Sequence, residues 1–158
     1  MKNLFLNLNY LFLMFGTTIY MGVLWALKIF WFPGWKSITT DVVQEHFIGP
    51  TGRATVFFTI IVPIMFLCNG IMIWKEWHSK FRWTSIIAMI GIVGSTIVGK
   101  LLIIPINDEI ALGKTSQADL SIMLNRWMDL NDIRWILMTI MWLALMYFFL
   151  YRKNEKIS

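Results

Sequence analysis

The sequence has little charge and almost no cysteine. Only 15% of its 158 residues are Asp, Glu, Lys or Arg, whereas about 25% is usual in a soluble domain. The single cysteine, Cys68, excludes an internal disulfide and a CxxC redox pair. The shortage of charge, together with a hydrophobic content of 58%, is typical of a membrane protein.

Metal-binding motifs are also lacking. The chain has two histidines, His46 and His78, and neither HxxxH nor HExxH occurs. Its 11 methionines are scattered through apolar runs, which is typical of packing rather than of metal ligation. We therefore expect no metal and no bound cofactor. A single site formed by His46 with a nearby carboxylate is the alternative that stays open.

Four long apolar segments are present, at about residues 4–32, 54–74, 83–104 and 133–151. Each is near or above the roughly 20 helical residues that cross a hydrocarbon core. No long β-type alternation occurs, and open strands cannot cross lipid. The sequence predicts an all-α bundle of four transmembrane helices, forming one integral membrane domain over residues 1–158.

The two long connections are expected to be structured, each with a short helix. Residues 41–47 form the first, which we expect to end at Gly49 and Pro50. Residues 117–127 form the second, because Ser116 can cap its first turn and apolar residues recur there at helical spacing.

Basic residues cluster at helix ends, which indicates membrane topology rather than nucleic-acid binding. One side carries seven: Lys2, Lys75, Lys80, Arg82, Arg152, Lys153 and Lys156. The other side carries four: Lys36, Arg53, Lys114 and Arg126. Arg134 lies at the edge of that side. The positive-inside rule then predicts a multi-pass protein of the cell membrane with both termini in the cytoplasm and the long connections outside.

Small residues form a stripe along the third apolar segment: Thr84, Ala88, Gly91, Ser95 and Gly99. Small side chains let membrane helices approach closely. The stripe predicts a helix contact, either within the chain or with a second copy in a homo-oligomer. The expected partners are otherwise membrane lipid and a small hydrophobic or aromatic substrate.

Polar residues gather at the predicted outer face. Lys28 and Lys100 lie near the outer ends of apolar segments, where a charge usually faces a cavity or a partner; reaching the interface or forming an ion pair is the alternative. Arg53 adds a third cation at the start of the second segment. His46 provides the imidazole on this side and is the candidate proton acceptor.

The densest polar stretch, RWMDLNDIRW, precedes the last apolar run. Trp127, Asn131, Arg134 and Trp135 share one broad face if the stretch is helical. Arg126 lies two turns before Arg134. These groups either brace the bundle or line a polar pocket over an apolar interior, a common form of small-molecule site.

At these residues the sequence resembles the anthrone-oxygenase-like family of small four-helix membrane proteins. The resemblance rests on Pro105-x-Asn107 at the end of the third segment, and on Arg126-Trp127 followed by Asn131-x-x-Arg134 before the fourth. It covers most of the chain as architecture, although its motifs lie in the second half.

The resemblance implies oxidation of a polycyclic phenolic substrate by O₂ without a cofactor. Such chemistry needs a base and fixed donors for the resulting anion. His46 is then the candidate base and Arg134 the catalytic cation. The groups expected to hold the substrate are Lys28, Trp31, Arg53, Lys100, Asn107, Arg126, Trp127, Asn131 and Trp135.

Two other classes compete with the enzyme. The first is a non-catalytic membrane module that binds a lipid, a quinone or a partner protein. The second is a small transporter subunit, but transporters favour ionisable residues at mid-membrane. Here the charge gathers at one face, which argues against transport.

Overall fold

The computed structural model describes residues 2–152, with side chains from residue 4 onward. Every long element in this part of the chain is helical, and the predicted four-helix bundle is confirmed. Four continuous helical spans are long and apolar enough to cross a membrane: Leu4–Trp35, Gln44–Glu76, Arg82–Ala111 and Gln117–Arg152. We call them the first to fourth spans. Lys153 and Lys156 of the predicted cytoplasmic tail lie outside the described residues.

The spans are longer than the apolar segments, because each takes in part of a connection. Their elements are α1 Lys2–Ala26, π1 Leu27–Trp31, α2 Phe32–Trp35, π2 Gln44–Ile48, α3 Gly49–Glu76, α4 Arg82–Ile97, π3 Val98–Ile103, α5 Ile104–Ala111 and α6 Gln117–Arg152. The two expected outer helices are therefore not separate. Residues 44–48 lead directly into α3, and residues 117–127 are the first turns of α6.

A π-helical turn precedes three of the four prolines. Pro33, Pro50 and Pro105 each occupy the second position of the α-helix that follows π1, π2 or π3. A proline has no N–H, and its ring clashes with the preceding turn of a regular helix. A wider turn with i→i+5 bonding removes that clash, as in the bond from the Gly49 N–H to the Gln44 carbonyl. Gly49 and Pro50 consequently start α3 instead of ending a helix.

Two hydrophobic cores are stacked along the molecule. The first lies inside the bundle and contains fully buried Leu13, Met65, Ile92 and Met138. The second lies in the cap, which we define as residues 32–50 and 103–130. The cap therefore has a packed interior of its own.

Three aromatic rings form the centre of the cap. Trp35 meets Phe47 at 4.9 Å and Trp127 at 5.4 Å between ring centroids, and Phe47 meets Trp127 at 5.1 Å, all edge to face. Edge-to-face pairs add to the stabilisation from burial. This cluster fixes the first turns of the fourth span against the end of the first span and the start of the second.

The small-residue stripe lies between the third and fourth spans. A Cβ built on Gly91 would lie 2.9 Å from the Met141 Cβ and 3.1 Å from the Leu137 carbonyl oxygen. Thr84, Ala88 and Ser95 are also buried. The stripe thus makes a close contact within the chain.

Candidate functional site

A cavity of about 920 Å³ lies where the bundle meets the cap. The first three spans form its walls, and the fourth contributes three side chains. Its most informative lining residues are Tyr20, Trp31, Trp35, Phe58, Phe66, Ser95, Lys100, Asn107, Trp127, Asn131 and Arg134. Drug-sized ligands occupy cavities of roughly 300–1,000 Å³, so this one has room for a polycyclic molecule.

The polar end of the cavity lies at membrane depth. Ser95 is 12 residues after the exposed Trp83, which is about 18 Å along a helix axis. Arg134 is 17 residues before the exposed Tyr151, or about 25 Å. A hydrocarbon core is about 30 Å thick. If Trp83 and Tyr151 mark one interface, both groups lie within the apolar layer, towards the cap.

Arg134 is the centre of the polar end. Its Nη1 donates to the Asn131 Oδ1 at 2.8 Å, and its Nη2 donates to the Tyr20 hydroxyl. The Ser95 hydroxyl also donates to the Tyr20 oxygen, at 3.1 Å. Because this oxygen accepts two hydrogen bonds, the Tyr20 O–H remains available as a donor.

A chain of hydrogen bonds orients the arginine from the cap. The Trp127 Nε1 donates to the Asn107 Oδ1 at 2.8 Å, and the Asn131 Nδ2 donates to the Trp127 carbonyl at 2.9 Å. Asn131 is 1% exposed. Held in this way, its side-chain oxygen orients Arg134 through their hydrogen bond. The guanidinium carbon lies 3.7 Å from where a Cβ of Gly99 would be, so the absent side chain lets the arginine lie against π3.

Tyr20 also packs against an aromatic neighbour. The rings of Tyr20 and Phe58 stack with centroids 4.3 Å apart. The Arg134 guanidinium also lies 5.3 Å from the Tyr20 ring centroid. Tyr20, on the first span, is therefore held by contacts with the second, third and fourth spans before any ligand binds.

Six of the residues singled out in the sequence line this cavity: Trp31, Lys100, Asn107, Trp127, Asn131 and Arg134. The resemblance motifs Asn107, Trp127, Asn131 and Arg134 are joined by direct hydrogen bonds. The motif spacing therefore corresponds to one connected polar wall.

The other five residues lie outside the lining. Lys28 pairs with Asp132 at 2.6 Å and lies 4.9 Å from the ring centroid of Trp135. This is the ion pair that was the alternative to a ligand-facing lysine. His46, Arg53 and Arg126 have exposed side chains, and none of the three borders the cavity.

Sequence reasoning missed Tyr20 and Ser95. Both lie in the middle of apolar runs, where a tyrosine or a serine is typical of packing. Their partner Arg134 is 114 residues away from Tyr20. A helical face shared by Thr17 and Tyr20 was the signal available, but it does not identify a partner on another span.

The chemistry of the lining is selective. Within residues 2–152, no aspartate, glutamate, histidine or cysteine lines the cavity. Nor do three such side chains lie together anywhere in the described chain in a way that could hold a metal ion. The polar groups of the cavity are therefore hydroxyls, amides, indole N–H groups and two cations.

No protein-family model matches this chain, and no curated protein or solved structure is significantly similar to it.

Proposed function

We propose that the chain is a membrane enzyme that resembles anthrone oxygenases and oxidises a polycyclic phenolic substrate with O₂ in this cavity. The observation that carries the proposal is the Arg134–Tyr20 pair at the end of a large apolar cavity. A guanidinium and a hydroxyl fixed in advance are suited to stabilise an oxyanion that develops during a reaction.

The proposed reaction converts a ring methylene to a carbonyl. One atom of O₂ becomes the carbonyl oxygen, and the other leaves as water with the two methylene hydrogens. The substrate reacts as its phenolate or carbanion, and Arg134 and Tyr20 hold its oxygen. Trp31, Trp35 and Trp127 border the cavity and can pack against fused rings.

A binding module is the second candidate, and a specific observation favours it. The described lining contains no carboxylate or imidazole that could act as a base, although general acid–base catalysis most often uses such groups. In this alternative the cavity holds a lipid or a quinone without turnover.

We further propose that the chain lies in the cell membrane with both termini in the cytoplasm. The cap then faces outward. The support is the clustering of basic residues at the end of the bundle that carries the connection between the second and third spans.

Oxygen uptake by purified protein tests the enzyme. With 1,8-dihydroxy-9-anthrone, the wild type is expected to consume O₂ above the rate of heat-denatured protein. Arg134→Gln and Tyr20→Phe are each expected to lower the excess rate by about 10²-fold or more, because each removes an oxyanion donor.

His46→Ala tests whether the histidine acts as the base. It is expected to retain activity, since His46 is exposed and does not border the cavity. Loss of activity in His46→Ala, with retention in Tyr20→Phe, would return the catalytic role to the histidine. A wild-type rate equal to that of denatured protein ends the oxygenase proposal and leaves the binding module.

A further inference from the structure

The charge of the cavity is unbalanced. Two cations line it, Arg134 and Lys100. Among the described residues, the partners of Arg134 are neutral: the Asn131 amide, the Tyr20 hydroxyl and the Tyr20 ring. Its Nε is buried and has no hydrogen-bond partner among the described residues. An arginine at membrane depth usually pairs with an opposite charge, and here the described protein supplies none.

Two ion pairs elsewhere in the described chain show the contrast. Lys28 is paired with Asp132, and Arg152 with Glu76. Both of these pairs lie outside the cavity lining. Lys28 and Arg152 thus have carboxylate partners, whereas the described residues show none for the two cations of the cavity.

The cavity also opens toward the lipid. Thr55, Thr59, Pro63 and Leu67 follow one another at four-residue spacing, line the cavity and are exposed. Lys100 is exposed on the third span, directly after the glycine against which Arg134 lies. Arg134 therefore lies against the residue that precedes Lys100, and Lys100 is the more exposed of the two cations.

We propose that the ligand of this cavity is an acidic amphiphile that enters from the bilayer between the second and third spans and binds as its anion. Its carboxylate or phenolate pairs with Arg134 and Lys100, and its apolar body fills the space beside Phe58 and Phe66. The proposal rests on the proposed function for the position of the site, and it specifies the charge of the substrate.

Binding of three pyrene derivatives tests the charge preference. The probes are 1-pyrenecarboxylate, 1-pyrenemethanol and 1-pyrenemethylammonium, which share one apolar body. Trp31, Trp35 and Trp127 border the cavity, so quenching of tryptophan fluorescence in a zwitterionic detergent reports binding. The carboxylate is expected to bind the wild type at least ten-fold more tightly than the alcohol, and the ammonium most weakly.

Substitution of each cation tests which residues cause the preference for the carboxylate over the alcohol. Arg134→Gln and Lys100→Gln are expected to reduce the ratio between carboxylate and alcohol to under three-fold. Arg82→Gln, at an exposed position at the opposite end of the bundle, should keep the wild-type ratio. If Arg134→Gln does not fold, Lys100→Gln decides, because its side chain is exposed. Equal affinity for carboxylate and alcohol, or a preference that survives in Lys100→Gln and in folded Arg134→Gln, overturns the proposal.

The two proposals fail separately. Preference for the carboxylate without any oxygen uptake supports the anionic ligand and ends the oxygenase proposal. Oxygen uptake without a charge preference overturns the anionic ligand alone.

Discussion

Glu76 shows how this chain accommodates a charged side chain inside an apolar bundle. The residue is 8% exposed. Its Oε1 accepts a hydrogen bond from the Tyr10 hydroxyl at 3.0 Å and lies 3.3 Å from the Arg152 Nε, while its Oε2 accepts from the Ser79 hydroxyl at 2.8 Å. The carboxylate thus ties together the ends of the first, second and fourth spans.

We expect Arg152→Met to destabilise the protein by about 1–3 kcal/mol. The substitution keeps the apolar stem of the side chain but leaves a largely buried carboxylate without its cation, and the unpaired charge is the main cost. Thermal unfolding in detergent measures the effect. Arg82→Met is the matched control, because Arg82 is exposed at the same end of the bundle and contacts the exposed Trp83. Equal unfolding temperatures for the two variants would contradict the role given to the Glu76 pair.

Neutral candidates from the sequence lie in the cavity lining more often than charged ones: Trp31, Asn107, Trp127 and Asn131 line it, whereas Lys28, Arg53 and Arg126 do not. A charge next to an apolar run is unusual, so Arg134 and Lys100 could be predicted as candidates. Tyr20 could not, because its role comes from contacts with Arg134 and Ser95 on two other spans. His46 was predicted from its chemistry alone. Its helical face, which the structure leaves exposed, depends on the π2 turn before Pro50.

At the scale of the element, the π-helical turns decide where side chains point. Each turn adds a residue to the local repeat, so the faces predicted from an α-helical period of 3.6 shift after it. Lys28 and Lys100 both lie within such turns. Lengths and apolar character of the spans could be predicted from the sequence, whereas the faces of residues in these turns could not.

The contact between the third and fourth spans depends on Gly91. We expect Gly91→Ala to destabilise the protein by about 1–3 kcal/mol, because the added methyl meets the Met141 Cβ and the Leu137 carbonyl and forces the helices apart. The measurement is again thermal unfolding in detergent.

Gly70→Ala is the matched control on the second span. A Cβ at Gly70 meets nothing within 4 Å, and alanine favours a helix over glycine by up to about 1 kcal/mol. Its unfolding temperature should equal or exceed that of the wild type. A Gly91→Ala variant as stable as Gly70→Ala would mean that the two helices can separate without cost.

At the scale of the whole molecule, the cap and the four-helix bundle together form the cavity. The bundle core and the cap core are each packed, and the cavity is the space left between them. The hydrogen-bonded wall from Asn107 to Arg134 crosses this boundary. The four-helix architecture could be predicted from apolar length alone, but the separate core of the cap required contacts between distant segments.

The orientation of the molecule determines which compartment the cap contacts. Wild-type protein is expected to react little with cysteine-labelling reagents, since its Cys68 is buried. Lys114→Cys adds a thiol to an exposed turn of the cap, and His78→Cys adds one to the exposed connection at the opposite end. With a membrane-impermeant maleimide on intact cells, Lys114→Cys is expected to react, while His78→Cys should react only after permeabilisation. The reverse pattern would place the basic connection outside and contradict the positive-inside assignment. In the expected orientation, the polar end of the cavity lies nearer the outer leaflet, so an acidic amphiphile has its shortest route from that side.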